Sequence, residues 1–153
     1  MVKCAALLLG IYLFMTLPAF SQTKNARINK TLKILSKKQE DCLGEGANMS
    51  SCWYEYAESL KELLEKEYAD LRNRCNEEQK KNLTNEQIKW TMKMKKDVDD
   101  FQKMAVKEAG MYTEIVDLRV AGEIAVHTEE RLIQIVNATP EDYSNENYKK
   151  RKP

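Results

Sequence analysis

Cys42 and Cys52 bound the segment CLGEGANMSSC, which also holds two glycines and two serines. Thiols at this spacing can clip a metal, cycle as a redox pair or form a bridge. A zinc clip wants four cysteine or histidine ligands. The chain holds Cys4, Cys42, Cys52, Cys75 and one distant histidine, His127, and no C-x-x-C. No metal centre and no cofactor is therefore expected. His127 sits in AVHTEE without a serine elbow, an HExxH or a phosphate loop, and reads as a surface or packing residue. Glu55, Glu58, Glu62, Glu65, Glu67 and Asp70 crowd one stretch, and Lys89, Lys93, Lys95 and Lys96 crowd another. A glycosidase needs two acids held in a cleft. Spacing alone leaves such a pair open, but nothing marks two of these acids as buried, so these charges read as solvated faces laced with weak ion pairs. Met92, Met94 and Met104 read as gap-filling core or as a binding surface. Asn82-Leu83-Thr84 matches a short glycosylation sequon.

The fate of the two thiols depends on compartment. The chain begins MVKCAALLLGIYLFMTLPAFSQ, with Lys3 ahead of an apolar run to Leu17 and small residues at Ala19 and Ser21. This pattern predicts a signal peptide over residues 1–21, cut between Ser21 and Gln22. The run is shorter than the roughly 20 residues of a spanning helix, so no stable membrane insertion is expected after cleavage. Cleavage would leave 132 residues with 24 basic and 24 acidic side chains and three cysteines. Such balance supplies no electrostatic drive toward nucleic acid or anionic membranes. Export to the periplasm or medium permits disulfides, and close cysteines without histidine partners are then expected to be bridged.

The elements that must position these residues are helical. The first helix is expected over about Thr23 to Asp41, with Ile28, Leu32 and Leu35 at helical spacing and Cys42 extending the stripe. Gly44 and Gly46 break it. A second begins near Ser51, carrying Trp53, Tyr56, Leu60, Leu63, Leu64, Tyr68 and Leu71 on a 3.6-residue period. Asn73 to Asn82 loses the stripe, becomes polar and reads as a connection or a frayed helix end. Thr84 and Gln87 have capping-box spacing, placing the start of a third helix there. That helix turns Trp90, Met94, Val98, Phe101 and Ala105 inward and ends or kinks at Gly110. The fourth runs from about Tyr112 to Asn137, with Ile115, Leu118, Gly122, Ala125, Leu132, Ile135 and Val136 as its core face. The fold class is all-α, an antiparallel bundle of about four helices stapled by one N-terminal disulfide. Residues 22–137 form a single domain, and 138–153 are expected to be a flexible tail with a solvated basic end.

This layout selects the bridge. On one continuous helix Cys52 and Cys75 would lie about 34 Å apart, whereas a disulfide needs Cα atoms within about 7 Å. Antiparallel packing puts Cys42 beside Cys52 and leaves Cys75 unpaired, as a buried small hydrophobe or an intermolecular thiol.

The stretch MSSCWYEYAESLKELLEKEYADL, followed by LTNEQIKW, resembles the lysozyme inhibitor LprI family of exported bacterial proteins. That family's pattern opens a helix with a cysteine and continues through Leu-Asn-x-x-Tyr, Gln-x-x-Trp and a later Thr-x-x-Arg. Cys52, Leu64, Tyr68, Gln87, Trp90, Thr128 and Arg131 match, with Gly110 at the connection and Cys42 at the preceding cysteine. Glu65, Lys61 and Met94-Lys95 depart from it, and a further cysteine pair of the family is missing near Val98 and Glu123. The resemblance covers about Asp41 to Asn137. As scaffold, Trp90 fills core and Gln87 bonds buried groups, while Arg131 holds an acidic group from the second helix.

The resemblance implies an exported, non-enzymatic helical protein that blocks a lysozyme or similar muramidase by steric occlusion. The disulfide-closed segment 44–51, with Glu45, Asn48 and Ser50, is the candidate presenting loop. Glu55, Glu58, Glu62 and Glu65 form an acidic strip suited to steering a cationic partner. The alternative is a structural or partner-binding module of the cell envelope. A hydrolase would require clustered carboxylates buried in a cleft.

Overall fold

The computed structural model describes residues 17–46 and 48–150. Four long helices follow in order: α1 (Leu17–Gly44), α2 (Met49–Arg74), α3 (Glu77–Ala109) and α4 (Glu114–Asn137). A 3-10 turn (Pro140–Tyr143) and a short α5 (Asn145–Lys150) close the chain. The expected leader lies outside the described residues up to position 16, and the expected cut after Ser21 falls within α1.

Side-chain contacts fix the directions. Cys42 bonds Cys52 at one end of α1 and α2, with Cα atoms 5.9 Å apart. At the other end Arg27 reaches Glu67 at 2.6 Å, so the two helices are antiparallel. Tyr54 donates to Asp117 near the start of both α2 and α4, which therefore run parallel. Arg131 of late α4 meets Glu86 and Gln87 of early α3, and Arg119 meets Glu108 at the opposite end. The bundle is up-down-up-down. Its core is built on the long α2–α4 contact, where Leu60, Leu64, Leu71, Leu132 and Ile135 are fully or almost fully buried.

The break between α1 and α2 is tight because Gly46 and Asn48 both take left-handed backbone, at φ of 71° and 46°. Glycine adopts that region without a Cβ penalty, and asparagine tolerates it. Asn48 then caps α2 by accepting from the Ser51 amide. Gly110 ends α3 in the same left-handed conformation, at φ 75°.

Four details differ from the expectation. The stretch 73–82 is not a connection. The chain turns at Cys75 and Asn76, and the capping box is Asn76 with Gln79, each side chain accepting from the other's amide at 2.9 Å. Thr84 lies inside α3 with its hydroxyl 3.4 Å from that of Tyr68. The stretch looked polar because its solvent face dominates, while Leu83 and Asn82 are buried beneath the chain end. Residues past Asn137 also pack onto the bundle. Tyr143 is 2% exposed in the main core, its carbonyl accepts from Asn82 Nδ2 at 3.0 Å, and the Asn145 amide donates to Glu78. After α4 ends at Asn137, Pro140 starts a 3-10 turn instead of a loose tail.

The core face of α4 is rotated by one residue at its start. Val116 and Val120 pack on Ala105, Phe101 and Val98, while Ile115 is 69% exposed. Thr113 caps the helix and sets this phase. Finally, Glu67 is not on a solvated face. It is completely buried between α1 and α2, paired with Lys24 at 3.0 Å and Arg27 at 2.6 Å. Cys75 is buried and free, and burial pushes its thiol pKa up.

Candidate functional site

α2 and α3 join at the two-residue turn around Cys75 and both lie against α4, yet their backbones stand apart, with the Tyr68 and Thr84 hydroxyls meeting across the gap at 3.4 Å. The separation leaves a groove of about 670 Å³. α2 supplies one wall through Tyr54, Glu58, Lys61, Leu64, Glu65 and Tyr68. α3 supplies the other through Gln87, Trp90, Thr91 and Met94, and Ile124 and Thr128 of α4 form the floor. The α2 wall is helically spaced at positions 54, 58, 61, 65 and 68, one continuous face of the helix.

Five of the seven matched motif residues, Leu64, Tyr68, Gln87, Trp90 and Thr128, line this groove together. A sixth, Arg131, is 3% exposed beside it. Its Nε donates to Gln87 Oε1 at 3.0 Å, and Nη1 donates to Glu86 at 2.9 Å and Gln134 at 3.1 Å. The guanidinium carbon lies 5.9 Å from the centre of the Trp90 ring, within cation–π reach. Arg131 thus holds an acid of α3, where an acid of the second helix was expected. Trp90 is half-buried, a groove wall and not a sealed core residue.

The acidic strip splits between two surfaces. Glu58 and Glu65 stand on the groove rim, Glu58 pairing with Lys61 at 3.2 Å. Glu55 faces α1 and lies 3.8 Å from Lys38, and Glu62 is exposed on the outer surface of α2. Glu45 and Asn48 are exposed at the disulfide end of the bundle and do not line the groove. Ser50 does not belong to a presenting surface. It is buried, and its hydroxyl donates to Asn48 Oδ1 at 3.0 Å, bracing the α2 cap.

The disulfide end is tied to the α3–α4 turn. Tyr54 and Tyr112 donate to the same Asp117 oxygen at 2.9 and 2.7 Å. These bonds hold the Asp117 carboxyl below its ordinary range. Burial, and then the Asp117 bond and charge, push the Tyr54 phenol up to about 12. Tyr56, on the other side of α2, is likewise pushed up to about 12 by burial and by its bond to Glu129.

Chemically the groove is an apolar slot with an acidic edge. Its carboxylates, Glu58 and Glu65, are exposed on the rim. The fully buried acid, Glu67, belongs to the α1–α2 contact and is neutralised by two cations. Burial there works to raise its pKa, but the bonds and charges of Lys24 and Arg27 outweigh it and leave the group lowered. Among the described residues no cluster of histidine, cysteine and carboxylate side chains could hold a metal ion, and no helix is long and apolar enough to cross a membrane.

The sequence reading missed the roles of Tyr54, Thr91 and Ile124. For Tyr54 a signal existed, since it begins the same helical stripe that ends at Tyr68. For Thr91 and Ile124 none did, because their place depends on how far α3 stands from α2. Comparison with protein-family models, curated proteins and solved structures finds no match to this chain.

Proposed function

We propose that this chain is an exported, non-catalytic helical binding protein that blocks a lysozyme-type muramidase by steric occlusion. The observation that carries the binding reading is the preformed groove between α2 and α3, apolar within and acidic at its rim. Pockets of 300–1,000 Å³ lined by aromatic and aliphatic side chains are the usual form of a binding site. Muramidase as the partner comes from the resemblance of the residues that converge on that groove. The bridge between Cys42 and Cys52 suits an oxidising compartment. It also makes the bundle rigid at the end bearing Glu45 and Asn48, which limits the entropy lost on docking.

The test is lysis of cell-wall suspensions by several lysozyme types with the oxidised chain added at equimolar amounts. Slowed lysis is expected, with activity unaffected by an equal amount of another neutral helical protein. Undiminished lysis by every type, with the disulfide confirmed intact, overturns the muramidase reading.

A second reading, a partner-binding module of the envelope, is favoured by the exposed apolar residues Ile88 and Met92 on α3 and Met111 and Ile115 at the α3–α4 turn. It predicts a co-purifying envelope protein and indifference to lysozyme.

A further inference from the structure

We infer that the groove between α2 and α3 accepts an amphipathic helix of a partner protein, its apolar face inserted and its Lys or Arg side chains set against Glu58 and Glu65. This deepens the binding reading above and rests on it for the choice of site.

Shape is the first reason. Two helices resting on a third with their backbones held apart leave a trough, closed at one end by the Tyr68–Thr84 contact, whose natural filler is another helix, since helices pack at about 8–10 Å between axes. The α2 wall from Tyr54 to Tyr68 extends about 21 Å at 1.5 Å per residue, room for roughly four turns. Leu64, Trp90, Met94 and Ile124 present apolar surface along it, the kind of groove that takes apolar anchors at i, i+3, i+4 and i+7.

The state of the polar groups is the second reason. A sugar or nucleotide is recognised by directional hydrogen bonds, yet the hydroxyls of the walls and the side-chain carbonyl of Gln87 are already engaged within the protein. Tyr54 is bound to Asp117, Tyr68 to Thr84, and Gln87 Oε1 to Arg131. The hydroxyls of Thr91 and Thr128 donate to the carbonyls one turn earlier. What the groove offers an occupant is therefore apolar area, with charge at the edge.

Charge is the third reason. Glu65 makes no ion pair among the described residues, and Glu58 is paired only with the exposed Lys61. The two carboxylates are two helical turns apart, about 10 Å, the spacing of basic residues at i and i+7 on a helix laid alongside α2. A cationic segment complements this rim and an acidic one is repelled by it.

Two synthetic 14-residue amphipathic helices test the assignment, sharing one leucine face and differing only in lysine or glutamate on the flanks. Each is titrated calorimetrically into the oxidised full chain at low salt. The lysine peptide is expected to saturate at one site, and the combined change Glu58→Gln and Glu65→Gln to weaken it roughly three- to tenfold. Reversal to Glu58→Lys and Glu65→Lys should transfer the preference to the glutamate peptide. Thr91→Trp, which places a ring at the groove's exposed mouth, should abolish binding while the circular dichroism stays unchanged. In a Trp53→Phe background Trp90 is the sole indole, and its emission should shift on binding. Absence of saturable peptide binding, equal binding of both peptides, or full binding by the Thr91→Trp protein overturns the inference. So does tighter uptake of an N-acetylglucosamine oligomer than of the lysine peptide. Lysis assays on the same samples separate the two readings. Peptide binding without lysozyme inhibition sinks the muramidase partner alone. Inhibition that the peptide cannot compete away, and that Thr91→Trp leaves intact, sinks the groove assignment alone.

Discussion

Arg131 of α4 donates through Nε to Oε1 of Gln87 on α3 at 3.0 Å, a bond between residues 44 positions apart. The same buried guanidinium pairs with Glu86 and lies over Trp90, so one side chain sets the distance of the α3 wall from the groove floor. Removing a partner from a largely buried pair leaves the other charge uncompensated. Arg131→Ala should cost about 2–4 kcal/mol in urea unfolding, less than a fully buried pair because Glu86 keeps some solvent. Arg131→Lys should recover little of this. An ammonium cannot span Gln87 and Glu86 as a planar fork does.

Acid sensitivity should concentrate at Glu67. Its folded pKa is lowered below the ordinary 4.5 by Lys24 and Arg27 acting against burial. A carboxylate with a depressed folded pKa contributes stability that is present above the unfolded value and lost as pH falls through the folded one. Unfolding free energy should therefore decline as pH drops below about 4.5, and the decline should be shallower in Glu67→Gln. Glu67→Gln should also be less stable than the parent at pH 7, since it leaves two cations beside a neutral amide. Parallel slopes in the two proteins would reject this assignment.

The bridge between Cys42 and Cys52 closes an 11-residue loop. Loop-closure entropy alone makes that worth about 2–3 kcal/mol. Thermal melts with and without a reductant should differ accordingly, and the double change Cys42→Ser and Cys52→Ser should match the reduced form. Cys75, buried at the other end of α2, should resist alkylation in both native forms.

Truncation after Ala138 should destabilise the whole bundle, not merely shorten it. Tyr143 fills a site beside Cys75 and Leu83 in the main core, and the backbone there satisfies Asn82. Tyr143→Ala should cost about 3–5 kcal/mol, the range for removing a buried aromatic ring. A melting temperature unchanged by either alteration would show the chain end to be dispensable.

Much of the frame was legible because it is local. The α2 stripe from Trp53 to Leu71 names its own buried face, and left-handed Gly46 and Gly110 mark the breaks after α1 and α3. Charge hid the remainder. Glu67 sits among five other acids of one helix, and only the placement of Lys24 and Arg27 on a neighbouring helix distinguishes it from them. The capping box expected at Thr84 and Gln87 forms instead at Asn76 and Gln79, where the earlier turn lets Leu83 be buried.

By itself the amino-acid order determined that four long helices form among the described residues, that Cys42 meets Cys52, and which stripes are apolar. Those outcomes depend on periods of a few residues and on chain reach. Only the tertiary structure decided that α2 and α3 stand apart on α4, that Trp90 is a wall, and that Tyr143 is core. Such outcomes depend on side chains dozens of positions apart competing for the same volume, which no local pattern encodes.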